Sequence, residues 1–327
     1  MTGTALCAAG VVLSTAGYFA GGKDFTYTSD HVYVSGGNSS SRKNLTVMKK
    51  EQIDDFTKLN VDFENFDLDI RTSDDDHYYM EYKLEKNGRK NPLTWKDKDG
   101  ELTLEESAGG SGSYYITYDL GIFSTHADLT EKKDALNTVI LYIPEKAQLS
   151  EAELQLSDGD LAADQLLCKE MTLELLNGDL MLDKGEFEKF DAKLSDGDLN
   201  VKELQCTDNM QLKSGNGDVT IKKAELADGQ IVLSDGDIQI DNSSFNGDMK
   251  INSSCGDVSV EMKNGSAEKT NIYLKAADGD VDTEGLSRGK TDNEEDTSVY
   301  ENKAGASAPT LNVECSDGDI TLTESEK

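Results

Sequence analysis

The chain has 327 residues, with 64 acidic against 32 basic side chains and a formal net charge of −32. That balance excludes a nucleic-acid binder working by phosphate neutralisation. Five cysteines and three histidines supply too little for a disulfide framework or a zinc cluster, and 36% hydrophobic residues is lean for an enzyme of this length.

Residues 1–22 contain the uncharged run Ala5–Ala20 (ALCAAGVVLSTAGYFA), interspersed with Gly10 and Gly17 and followed by Gly21 and Gly22. A helix of this length reaches the lower limit for a hydrocarbon core. The leader MTGT lacks the basic residues of a signal peptide. The expectation is a single membrane anchor or signal-like segment. Residues 23–55 read as an extended polar spacer around SGGNSSSRKN. Residues 56–145 alternate apolar and polar positions, with a hairpin over Lys98-Asp99-Gly100 and a buried strand NTVILYIP ending at Pro144. These are N-terminal β coils.

From residue 146 to 327 the dipeptide Gly-Asp recurs, with glycines at Gly159, Gly178, Gly197, Gly217, Gly236, Gly256, Gly279 and Gly318. The intervals are 19, 19, 20, 19, 20, 23 and 39 residues. Five residues before each glycine stand Leu154, Leu173, Ala192, Leu212, Ile231, Ile251, Leu274 and Val313. Two after it stand Leu161, Leu180, Leu199, Val219, Ile238, Val258, Val281 and Ile320. Apolar columns on a fixed period with a turn at each glycine mean stacked coils that cannot bury their faces alone. The fold class is all-β, a parallel β-helix or β-solenoid with rungs of about 20 residues. Its rungs are expected to stack in sequence order. Residues 285–309 lack the pattern and read as an exposed loop insertion.

The cysteines obey the same columns. Cys168 and Cys206 alternate with Leu149, Phe187, Leu226 and Phe245, and Cys315 shares a column with Leu156, Leu175, Leu194 and Leu233. These three are expected to be buried and unpaired, because two rungs separate Cys168 from Cys206, roughly 9.6 Å. Cys255 occupies a turn position and is expected to be exposed.

At this point the residues resemble a known family. The strand ending in YIP and the repeated L-x-L-S-D-G-D-[LI]-x-[LIV] rungs, closing on an SDGDI rung, are similar to the bacterial "putative adhesin" family of β-strand-repeat proteins. The likeness runs from Phe56 to Leu322. It implies a right-handed, pectate-lyase-like β-helix outside the cytoplasm, behind an N-terminal membrane segment. Some members are encoded beside envelope-stress systems. The family has no agreed catalytic residues, so none is carried over.

The aspartates after each glycine form the sharpest chemical feature: Asp160, Asp179, Asp198, Asp218, Asp237, Asp257, Asp280 and Asp319. Repeated carboxylates at stacked turns are the pattern of a weak calcium ladder. The alternative is turn chemistry, in which Gly accepts positive φ and Asp or Asn bonds nearby N–H groups. Asn177 and Asn216, in place of the preceding Asp, favour the turn. Trp95 with Tyr78, Tyr79, Tyr82, Tyr114, Tyr115 and Tyr118 offers a stacking surface for sugars or ordinary strand packing. Identical carboxylates on every rung supply no asymmetric catalytic site, and no other cofactor is implied.

The functional expectation is a non-enzymatic, membrane-anchored, extracytoplasmic interaction module of a bacterial cell surface, adhesin-like, with an envelope polymer or protein as partner. The alternatives are an envelope-stress signalling accessory and a carbohydrate-active β-helix enzyme.

Overall fold

A computed structural model describes residues 25–27, 32–34, 45–108, 136–283, 286, 289–294 and 297–326. The chain divides into two compact units. The first takes Met1–Leu45, Glu85–Pro92 and Ala108–Ala135. Its described parts are the antiparallel pair β1 (Phe25–Tyr27) and β2 (Val32–Val34), and a tight turn in which the Arg89 N–H donates to the Lys86 carbonyl at 2.7 Å. The apolar segment of residues 1–22 lies outside the described residues. Among those described, no helix is long and apolar enough to cross a membrane.

The second unit (Thr46–Leu84, Leu93–Ser107 and Leu136–Lys327) is the solenoid. Its N-terminal part holds β3 (Leu45–Gln52), β4 (Lys58–Phe63), β5 (Asp67–Ser73), β6 (Tyr79–Glu85), β7 (Leu93–Lys98), β8 (Glu101–Glu106) and β9 (Thr138–Pro144). The regular part follows with β10 (Leu149–Asp158), β11 (Leu161–Asn177), β12 (Leu180–Asp196), β13 (Leu199–Asn216), β14 (Val219–Lys222), β15 (Ala224–Asp235), β16 (Ile238–Phe245), β17 (Asp248–Cys255) and β18 (Val258–Met262). The C-terminal part holds β19 (Asn271–Asp278), β20 (Val281–Asp282), β21 (Lys290–Glu294), β22 (Thr297–Asn302), β23 (Thr310–Asp317) and β24 (Ile320–Glu324).

Within one coil, the inward residues of β11 are Leu161 and Ala163, then Leu166 and Cys168, then Met171, Leu173 and Leu175. Two consecutive outward residues separate these groups, and each such break in the period of two bends the strand, giving three sides per coil. Parallel pairing stacks like on like: Leu161 on Leu180, Leu180 on Leu199, and Cys168 on Phe187, which lies on Cys206. The five-before-glycine column is buried throughout, down to 1% exposure or less. Cys168, Cys206 and Cys315 are buried free thiols, while Cys255 is exposed.

The rungs do not stack in sequence order at either end, contrary to expectation. At the N-terminal end, β8 and β9 lie outside β4 and β5, although β4 and β5 come first in the chain. At the C-terminal end, β23 lies between β17 and β19, and β24 between β18 and β20. The last residues therefore fill a slot inside the stack. Parallel pairing reads side-chain pattern and not chain position, so any rung with the same columns fits. The expected loop over residues 285–309 is also corrected. It contains the antiparallel pair β21–β22, and β22 lies antiparallel along β19 with Ser298, Tyr300 and Asn302 buried. The reversed strand ends the parallel stack on that side. At the other end, β7 on β8 and β6 on β9 are likewise antiparallel.

Candidate functional site

Each Gly-Asp turn joins two sides of the coil, and the turns stack into one edge of the solenoid. Close stacking dictates the glycine. A Cβ on Gly217, at φ +112°, would meet the Gly197 carbonyl of the turn beneath, and one on Gly318 would meet the Gly256 carbonyl. No side chain fits between one Gly-Asp turn and the next at this spacing.

The aspartate after the glycine holds the next turn. The Asp179 N–H donates to Oδ1 of Asp160, Asp198 to Asp179, Asp218 to Asp198, Asp237 to Asp218 and Asp257 to Asp237. The chain continues in spatial order, with the Asp319 N–H donating to Asp257 and the Asp280 N–H to Asp319. At the other end the Asp160 N–H donates to Oδ1 of Asp67 at 3.0 Å. All eight expected aspartates thus stand in one ladder, and Asp67 is a ninth member that the Gly-Asp pattern missed. Its signal was weak because Phe66 stands where the glycine would be. Burial pushes the Asp67 carboxyl above the ordinary 3.8, a shift opposed by the Asp160 N–H and raised further by the Asp160 charge.

The column before the glycine also has an ordering rule. Running up the stack it reads Asp158, Asn177, Asp196, Asn216, Asp235, Cys255, Asp317 and Asp278. The Asn177 Nδ2 donates to Asp158 Oδ1 at 2.7 Å, and the Asn216 Nδ2 to Asp196 Oδ1 at 2.6 Å. Alternating amide and carboxylate replaces repulsion with a hydrogen bond. Asp317 directly opposite Asp278 is the exception.

Charge is distributed unevenly around the coil. Lys169, Lys184, Lys189, Lys202, Lys223 and Lys263 pair with Glu188, Glu186, Glu170, Asp183, Glu203 and Glu225, away from the turns. Among the described residues, no lysine or arginine forms a salt bridge with a ladder aspartate. The edge is therefore a continuous acidic ridge. Metal ligation is a poorer fit than turn chemistry, because Oδ1 of every ladder aspartate but the terminal Asp280 already accepts a backbone N–H. Among the described residues, no group of three or more His, Cys, Asp or Glu could hold a metal ion.

One charged cluster breaks the repeat. The Arg71 guanidinium grips Asp69 Oδ2 through Nε at 2.9 Å and Nη2 at 2.7 Å, and the Tyr142 hydroxyl donates to Glu81 at 2.6 Å. The Lys50 ammonium lies 3.8 Å from the Tyr142 ring centroid. Sequence reasoning passed over Arg71, which belongs to no motif. The cluster is satisfied internally, and it reads as a clamp of β3 onto the solenoid.

Of the aromatic residues read as strand packing or as a sugar-stacking surface, those described are engaged separately. Tyr78 is buried against Phe56, Tyr79 donates to Asp75 at 2.7 Å, and Tyr82 is half-buried. Trp95 is 38% exposed on β7, and Tyr114, Tyr115 and Tyr118 lie outside the described residues.

The family model described as Toastrack DUF4097 matches residues 56–323. The chain belongs to the Toastrack DUF4097 family. No curated protein matches it. Among solved structures it is similar to a "putative adhesin" from Parabacteroides merdae at 16% identity, covering 86% of this chain and 97% of that one, with a TM-score of 0.42. A "putative lipid binding protein" from Parabacteroides distasonis is 11% identical over 88% of this chain and 98% of that one, with a TM-score of 0.43. A "putative cell adhesion protein" from Clostridium sporogenes is 16% identical over 86% and 100%, with a TM-score of 0.26. Likenesses this distant carry none of those proteins' named roles to this Toastrack chain.

Proposed function

We propose that this Toastrack chain is a non-enzymatic interaction module of the bacterial cell surface, held at the membrane by residues 1–22 and presenting its acidic ridge to an envelope polymer or protein. The segregation of charge carries this reading. Nine ladder aspartates and Asp158, Asp196, Asp235, Asp278 and Asp317 share one edge, while six lysines of the coils are paired away from it. A repeated, equivalent array favours many weak contacts with a repetitive or cationic partner. Catalysis needs one unlike group, and the ridge offers equivalents.

The test is retention of the purified full chain by isolated cell-wall material and by membrane extracts. It is compared with Asp198→Asn, Asp218→Asn and Asp237→Asn combined. Asparagine keeps the Oδ1 acceptor, so the turns remain bonded while three charges go. Retention of the parent and severalfold weaker retention of the triple variant supports the ridge. Equal retention of both, or none of either, overturns it.

A further inference from the structure

The slot between β17–β18 and β19–β20 is formed entirely by residues that precede its occupant. Residues 248–282 supply both walls, and Thr310–Glu324 arrives afterwards. The occupant offers strand edges on both sides and five buried side chains: Leu311, Val313, Cys315, Ile320 and Leu322. Its backbone is bonded to both walls. The Gly256 and Val258 N–H groups donate to Asp317 and Asp319 carbonyls at 2.9 Å, while the Gly318 and Ile320 N–H groups donate to Asp278 and Asp280 at 3.1 and 2.9 Å.

What makes the occupant part of its own chain is one covalent connection. The connection from β22 is Lys303–Pro309, exposed from Lys303 to Ser307. A cleft of about 420 Å³, lined by Asn271, Tyr273, Asn302, Gly305 and Thr310 among others, lies at this connection. One side chain holds the connection down. Asn271 Oδ1 accepts from the Ala304 and Gly305 N–H groups at 2.9 and 3.2 Å, and Nδ2 donates to the Gly305 and Ala308 carbonyls at 2.9 and 3.1 Å. Every contact inside the slot would be identical if β23 and β24 came from another molecule. Only the seven-residue connection distinguishes the two arrangements.

We propose that this slot is an acceptor for β23–β24 of a second copy, so that the chain dimerises by exchanging its C-terminal strands. The connection sets the balance. Closed on Asn271 it favours filling from the same chain, and released it lets concentration favour the partner.

Cys255 supplies the reporter, because it stands opposite Asp317 in register and is exposed. Asp317→Cys removes a like charge facing Asp278 and places two thiols within disulfide reach. The full-length variant is unfolded, refolded over a range of concentrations and oxidised with oxidised glutathione. The joined peptides are then mapped and the product sized without reductant. Expected is a 255–317 bond that links two chains in a fraction rising with concentration. Adding Asn271→Ala raises that fraction severalfold. A 255–317 bond confined within single chains at every concentration, or a fraction unmoved by Asn271→Ala, overturns the proposal.

Discussion

At the scale of single residues, the turn is governed by the distance between coils. Gly217 has the preceding turn's carbonyl where its Cβ would be, whereas Gly265 has open space around it. Both have positive φ. Gly265→Ala should therefore cost only the conformational strain, about 1 kcal/mol, while Gly217→Ala adds a backbone clash and should cost about 3 kcal/mol or more. Equal losses in denaturant melts would contradict the stacking account. Asp67 gives a pH signature. Its carboxyl lies above the ordinary 3.8 in the folded chain, chiefly through burial. The folded state thus holds that proton more tightly, and the stability it contributes is complete below 3.8 and lost as pH rises through the raised value. Asp67→Asn keeps an acceptor for the Asp160 N–H and removes the buried charge. The variant should melt higher than the parent at pH 7, with the difference closing as the pH falls toward 3.8. These assignments were partly legible in advance. Asn177 and Asn216 were readable as turn residues, but their bonds to Asp158 and Asp196 required knowing which rung lies beneath which.

At the scale of the element, alternation decides which face of each strand is inside, and this was legible from period alone. Ile238 on β16 is 1% exposed, and its neighbour Gln239 points outward to bond Asp241. Ile238→Asp buries an unpaired charge between two coils and should cost about 4 kcal/mol. Gln239→Asp exchanges a surface hydrogen bond for a like charge beside Asp241 and should cost under about 1 kcal/mol. Similar shifts in thermal melts would refute the inside–outside assignment. The strands β21 and β22 were not legible, because Lys290–Glu294 is polar throughout and carries no apolar alternation. Its partner, Thr297–Asn302, buries Ser298, Tyr300 and Asn302, a face too polar to register as a strand. Asn302 is satisfied there by the Ala267 and Thr270 carbonyls, which only the fold brings near.

At the scale of the whole molecule, the period of about 20 residues announces a stack but leaves the order of its end rungs undetermined. The rung at Asp278–Asp280 and the rung at Asp317–Asp319 carry the same columns, so nothing in their composition says which lies farther out. The same equivalence fixes how the ridge responds to salt. Its aspartates stand about 5 Å apart along the edge, and their engaged oxygens leave no closed cage for an ion. Calcium chloride and sodium chloride at equal ionic strength should raise the melting temperature alike, as screening requires. A distinctly larger gain with calcium would show that the outward Oδ2 atoms share cations after all.

The insertion of β23 and β24 has a mechanical meaning. An edge strand drawn away from a sheet unzips, its hydrogen bonds failing singly under the full load. A load drawn along β24 is instead carried in shear by its bonds to β18 and β20 before it reaches β23 between β17 and β19. The tail adds its own anchorage, with the Ala267 N–H held by Glu324 at 2.8 Å and the Ser325 N–H by the Met262 carbonyl at 2.8 Å. Resistance to pulling is set by the barrier to this slippage rather than by equilibrium stability. A body loaded through β24 therefore yields late and all at once.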